Sequence, residues 1–146
     1  MPETIHEFTV AKPPQEVAGL IFHAAWLGTM FHPVQRTEGD ATKSEWFLKT
    51  PFRATLGTSA LRCTIEERTG NSCRWKAEAD YLIWEGRFHL EPSEGGSTRI
   101  RFALRIEDNG PLATVHNAMI AVQIKNVTKF FERRLREALG EETTDA

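Results

Sequence analysis

The sequence predicts an α+β domain: a seven-stranded antiparallel sheet, in the chain order β-α-α-β6-α, wrapped around one long C-terminal helix. Three observations carry this. Between Pro111 and Leu139 there is neither Gly nor Pro, and apolar residues recur at Ile120, Ile124, Val127, Phe131, Leu135 and Ala138, the spacing of one helical face. From Val34 onward, segments near 34–38, 43–49, 54–66, 72–80, 83–91 and 97–107 read as strands separated by turn formers. The apolar side of such a sheet and the apolar stripe of the helix then have only each other to bury against.

Taken in order, residues 5–10 alternate and are closed by Lys12-Pro13-Pro14, a first strand. Pro14 starts a helix expected over about 15–25, with Val17, Leu20, Ile21 and Ala24 on one side. A second helical piece around 26–31 stops before Pro33, because the residue before a proline avoids the α region. The turn signals are Glu38-Gly39-Asp40, Thr50-Pro51, Thr69-Gly70-Asn71, the short link at Tyr81-Leu82, and 92–96 with its Gly95-Gly96 pair. Trp75, Ala77 and Ala79 alternate with charged residues, as do Trp84, Gly86, Phe88 and Leu90, and then Ile100, Phe102, Leu104 and Ile106. One face is apolar and the other is charged, as in an antiparallel sheet wetted on one side. Arginines and glutamates on the outer face are expected to pair across strands. The long helix is expected to open at Pro111, as a first helical residue. It should close at Gly140 in a left-handed cap, before a polar, fraying tail over 141–146.

The totals bound the function. The 146 residues suit a single domain, and 40% hydrophobic with 26% charged residues is an ordinary globular composition. A formal charge of −2 gives no general attraction to nucleic acid. The start of the chain lacks a signal-peptide pattern and no apolar run is long enough to span a membrane, so a cytoplasmic protein is expected. Cys63 and Cys73 are then expected to be reduced and buried. The five histidines are scattered and there is no C-x-x-C, so neither a metal nor a cofactor is expected.

In a meander, the turns near 51 and 81, the entry near 32 and the link near 110 share one end of the sheet. The expected cavity lies there, between sheet and helix. Its candidate ligand-binding residues are Phe31, Phe52, Trp75, Tyr81, Trp84, Phe88, Phe102, His116, Met119, Ile120 and Gln123. Aromatic bodies with a few polar tips suit a small molecule. Trp75, Phe88 and Phe102 would equally serve as core. His116, Tyr81 and His32 are the candidate proton carriers. No carboxylate stands one helical turn from His116, where Leu112, Ala113, Met119 and Ile120 lie, so Asp80 or Asp108 would have to approach it from elsewhere. There is no Gly-x-Ser-x-Gly elbow, phosphate loop or dinucleotide fingerprint.

The order of elements resembles that of the START-like, helix-grip superfamily (SRPBCC proteins). So do Val10-Ala11-Lys12-Pro13-Pro14-Gln15-Glu16-Val17 after the first strand, Gly96-Ser97-Thr98-Arg99 before the last, and Phe130-Phe131-Glu132-Arg133-Arg134-Leu135 late in the helix. Polyketide cyclase/dehydrase-type proteins, the major birch pollen allergen and carbon monoxide dehydrogenase accessory-subunit relatives share that architecture. The resemblance implies a cavity holding a lipid, polyketide or similar hydrophobic small molecule as partner. Its alternatives are an aromatase/cyclase-type enzyme using a cavity His or Tyr, and an accessory protein-interaction module.

Overall fold

The computed structural model describes residues 2–141 and, within 54–56, the backbone alone. The chain runs β1 (Glu3–Val10), α1 (Pro14–Ile21), α2 (Ala24–Gly28), β2 (Val34–Gly39), β3 (Lys43–Leu48), α3 (Thr50–Leu56), β4 (Ala60–Arg68), β5 (Ser72–Glu78), β6 (Leu82–Ser93), β7 (Ser97–Asp108) and α4 (Ala113–Ala138). The seven strands form one antiparallel sheet in the order β1-β7-β6-β5-β4-β3-β2. The meander from β2 to β7 is thus completed by β1 on the far edge, and the helix-grip architecture expected from the sequence is present.

Three elements depart locally from the expectation. The segment expected as a strand over 54–66 starts as helix α3: Lys49 is extended before it, Pro51 occupies its first turn, and Gly57 closes it at φ 68°. Thr50-Pro51 is therefore a helix start rather than a strand-to-strand turn. Helix α1 ends at Ile21 instead of near Ala25, because His23 turns extended and its Nδ1 accepts the Trp26 N–H at 3.1 Å, capping α2. Pro111 lies in a turn ahead of α4 rather than at its first position.

The far end of α4 closes as expected. Gly140 takes φ 78°, its N–H donates to Glu137 O at 3.1 Å, and the Glu141 N–H donates to Arg136 O at 2.9 Å, which is a Schellman cap. Glu141 itself is tied down, its carboxylate accepting from Ala11 N–H at 2.9 Å and from Arg136 at 3.2 Å. The expected fraying therefore does not include Glu141, and 142–146 lie outside the described residues.

Inside the sheet's curl the interior is aromatic. Phe31 meets Trp84 at 5.4 Å, Phe131 at 5.5 Å, Trp46 at 5.6 Å and Trp75 at 5.7 Å between ring centroids. Phe88 and Phe102 lie 4.6 Å apart, with Phe131 of α4 on Phe102 at 4.7 Å. Burying each such side chain stabilises the fold by roughly 1.5–3 kcal/mol. Gly86 on β6 is opposite Trp75 on β5, and the indole lies where a Cβ would stand; only glycine lets that ring lie flat on the strand. On the outer face Glu85 is opposite Arg105 and Glu91 opposite Arg99, and Glu7 pairs with Arg99. That hydrogen bond and charge hold the Glu7 carboxyl below its ordinary range.

Candidate functional site

Helix α4 does not meet the sheet evenly. Along its inward side Ile124, Val127, Phe131 and Leu135 are at most 5% exposed, whereas towards the N-terminus Ile120 reaches 9% and its neighbour Met119 45%, and Leu112 just before the helix 59%. The aromatic interior fills the space under the seated half. Under its N-terminal and middle turns a groove of about 370 Å³ remains open, within the size range of small-molecule sites.

Its helix wall is Met119, Ile120, Gln123, Ile124 and Val127. Its sheet wall is Leu82 and Trp84 at the start of β6, with Ile106 beside them on β7. The rim is His32 and Pro33 before β2, with Pro51 and Phe52 at the start of α3. Pro51 lies in the first turn of α3 at this edge. Backbone pairing joins the two rim segments, Lys49 N–H donating to Pro33 O at 2.9 Å.

Polar groups in the groove are few. The His32 ring lies against Phe52 at 5.4 Å and Phe130 at 5.1 Å. Burial, and then the positive charge of Lys49, hold its pKa below the ordinary imidazole value, so the ring is neutral at pH 7. His32 Nδ1 and Trp84 Nε1 are both covered and without a hydrogen-bond partner. Gln123 Oε1 accepts from Asn126 Nδ2 at 3.4 Å, leaving the Gln123 amide N–H groups for a guest.

The residues expected at the cavity divide. His32, Phe52, Trp84, Met119, Ile120 and Gln123 come together around the groove. Phe31, Trp75, Phe88 and Phe102 do not line it; they are at most 1% exposed and packed on one another as core. Tyr81 is 57% exposed at the β5–β6 turn, where it packs beside Gly110. His116 is also outside the groove lining. Its Nδ1–H donates to Asp108 Oδ2 at 2.6 Å, so Asp108 is the carboxylate that approaches it. Asp108 N–H donates to Asn117 Oδ1 and Asn117 Nδ2 donates to Asp108 O, both at 2.9 Å, which latches β7 to the first turns of α4. Of the lining residues not singled out beforehand, Ile124 and Val127 were marked by their place on the Ile120 stripe. Pro33 and Pro51 carried no signal beyond their turns.

A larger depression of about 440 Å³ lies on the outer sheet face, between residues such as Glu66, Arg74, Lys76, Glu85, Arg87 and Arg105. Its mixed charges are those of a solvated sheet face. Among the described residues no group of three or more His, Cys, Asp or Glu is placed to hold a metal ion, and no helix is long and apolar enough to cross a membrane. Cys63 and Cys73 are free and buried. Burial raises both thiols, that of Cys73 to about 11.

No protein-family model matches the chain, and no curated protein matches it. Solved structures do. A START superfamily protein from Mycobacterium smegmatis is similar at a TM-score of 0.67 with 14% identity, over 93% of this chain and 98% of that one. A conserved protein from Geobacillus kaustophilus is similar at 0.70 with 14% identity, over 94% and 95%. A protein from Deinococcus radiodurans is similar at 0.62 with 18% identity, over 94% and 98%. At these identities the likeness shows architecture alone, and that architecture is the START-like helix-grip fold.

Proposed function

We propose that this protein is a cytoplasmic, single-domain binding protein that shelters a hydrophobic small molecule, a lipid or polyketide or similar, in the groove under the N-terminal and middle turns of α4. The observation that carries the reading is the uneven seating of that helix. It leaves Ile120, Ile124, Val127, Leu82 and Ile106 around open space, where water is a poor occupant of apolar walls. The START superfamily likeness of the fold supports it. The cyclase-type alternative needs a proton carrier against the guest. His116 and Tyr81 do not line the groove, and His32 is the one imidazole that does, so binding without turnover is favoured.

The test is a fluorescence titration with N-phenyl-1-naphthylamine, a neutral apolar probe. Gln123 is exposed at the groove edge, so Gln123→Trp fills the groove without disturbing the core. It is expected to weaken probe binding at least about tenfold, the effect of losing roughly 1.4 kcal/mol of contact. Val122→Trp, on the outward side, leaves it unchanged. Equal binding by both variants sinks the reading.

A further inference from the structure

Resting on the groove reading, we propose that the guest is an amphipathic anion, an apolar body with a carboxylate end held at Lys49, and that Lys49 is the specificity-determining residue. The first ground is the distribution of charge. The chain carries 20 Asp and Glu, yet none falls in 17–37, 46–65 or 109–131. Those three stretches supply the whole rim and the whole helix wall of the groove. A net charge of −2 therefore conceals a binding site with no carboxylate on its rim or helix wall.

The second ground is which cation stands there. Arg36 is engaged with Glu38, Arg53 donates its Nε–H to Leu48 O at 2.7 Å, and Arg62 is opposite Glu45 on the sheet. Lys125 and Lys129 lie across α4 from the Ile120–Ile124–Val127 stripe by helical spacing. Lys49 remains. Its backbone is pinned to Pro33 at the rim, it has no carboxylate partner among the described residues, and its charge is felt by the His32 ring inside the groove.

The third ground is that the groove's own polar groups favour an acceptor. Gln123 has its oxygen engaged and its N–H groups free. The Trp84 indole N–H has no acceptor, so the positive end of its dipole is unneutralised within the wall. Apolar walls lower the local dielectric and strengthen the pull of Lys49 on a negative group. A cationic guest meets no compensating carboxylate on the rim or the helix wall, and a neutral guest leaves Lys49 unused.

The experiment displaces N-phenyl-1-naphthylamine with three twelve-carbon competitors below their micelle concentrations: dodecanoate, 1-dodecanol and dodecylammonium. The wild type is expected to bind dodecanoate about three- to tenfold more tightly than dodecanol, with dodecylammonium weakest, as for a partly solvated charge pair. Lys49→Gln removes the difference between dodecanoate and dodecanol, while Lys125→Gln retains it. Dodecanoate, but not dodecanol, raises the His32 titration midpoint followed by NMR, because a nearby carboxylate favours the imidazolium. Equal binding of dodecanoate and dodecanol by the wild type overturns this proposal and leaves the groove reading standing. So does a preference that survives in Lys49→Gln. Failure of all three competitors and of the probe itself overturns the groove reading, and this proposal with it.

Discussion

Truncating Phe131 to alanine measures how α4 is seated. Phe131 is fully buried and touches four rings: Phe102 at 4.7 Å, Phe88 at 5.4 Å, Phe31 at 5.5 Å and Phe8 at 6.5 Å between centroids. Removing a phenyl group from such a site loses its transfer free energy and leaves a cavity the surrounding rings cannot close, about 3–5 kcal/mol in all. Against a total stability of roughly 5–15 kcal/mol for one domain, that is a large share, and it lowers Tm by about 10–15 °C. Ile120, one face of the open groove, is 9% exposed. Ile120→Ala removes three carbons at about 0.8 kcal/mol each, but the space beside it is already open, so no new cavity term adds and about 2.4 kcal/mol is the expected ceiling. Val122 is 74% exposed, and Val122→Ala is expected within about 0.5 kcal/mol of wild type. Urea unfolding followed by fluorescence of the buried tryptophans gives the three values. Equal costs for Phe131→Ala and Ile120→Ala would mean that the helix lies flat along its whole length, and would refute the uneven seating.

Other consequences are as direct. Gly86→Ala drives a methyl group into the Trp75 indole, and is expected to destabilise by about 1–3 kcal/mol as overpacking; a neutral result would show that Trp75 does not lie on β6. Burial depresses the His32 pKa below the 6.5 of an unfolded chain, so protonation favours unfolding. The stability it contributes is complete above about pH 6.5 and is lost as pH falls through the lower folded value. The urea midpoint should therefore fall between pH 7.5 and 5 by less in His32→Gln than in wild type, and equal falls would contradict this. With its thiol raised to about 11 by burial, Cys73 is about one part in a thousand thiolate at pH 8. Aromatic disulfide reagents are expected to label neither cysteine until denaturant is added, and stoichiometric labelling of the folded protein would count against the buried placement.

The architecture was legible because long-range periodicity survives local detail. The alternation through Trp84, Gly86, Phe88 and Leu90, and the stripe from Ile120 to Leu135, each report one buried face. Helix α3 was not legible, since Thr50-Pro51 serves equally well as a turn or a helix start and Gly57 decides only when seen at positive φ. The site was half legible. Spacing put His32, Phe52, Trp84, Met119, Ile120 and Gln123 at one end of the sheet, and the groove is there. Spacing has no account of volume, however. Phe31 from the α2–β2 link fills the interior that Trp75, Phe88 and Phe102 would otherwise have opened to a guest. Nor did it show that His116 is engaged by Asp108 at the β7–α4 joint, eight residues away along the chain. The whole-chain charge concealed the absence of carboxylates from the groove's rim and helix wall, which becomes visible only once three separate stretches are known to meet.

Intermolecular NOEs between a saturating apolar guest, such as dodecanoate, and the methyl groups of the protein test the central claim most directly. The account predicts cross-peaks to Met119, Ile120, Ile124, Val127, Leu82 and Ile106, and none to the exposed Ile5 and half-buried Ala103 on the other side of the sheet. Cross-peaks confined to that outer face, or none to the methyls of α4, would contradict it.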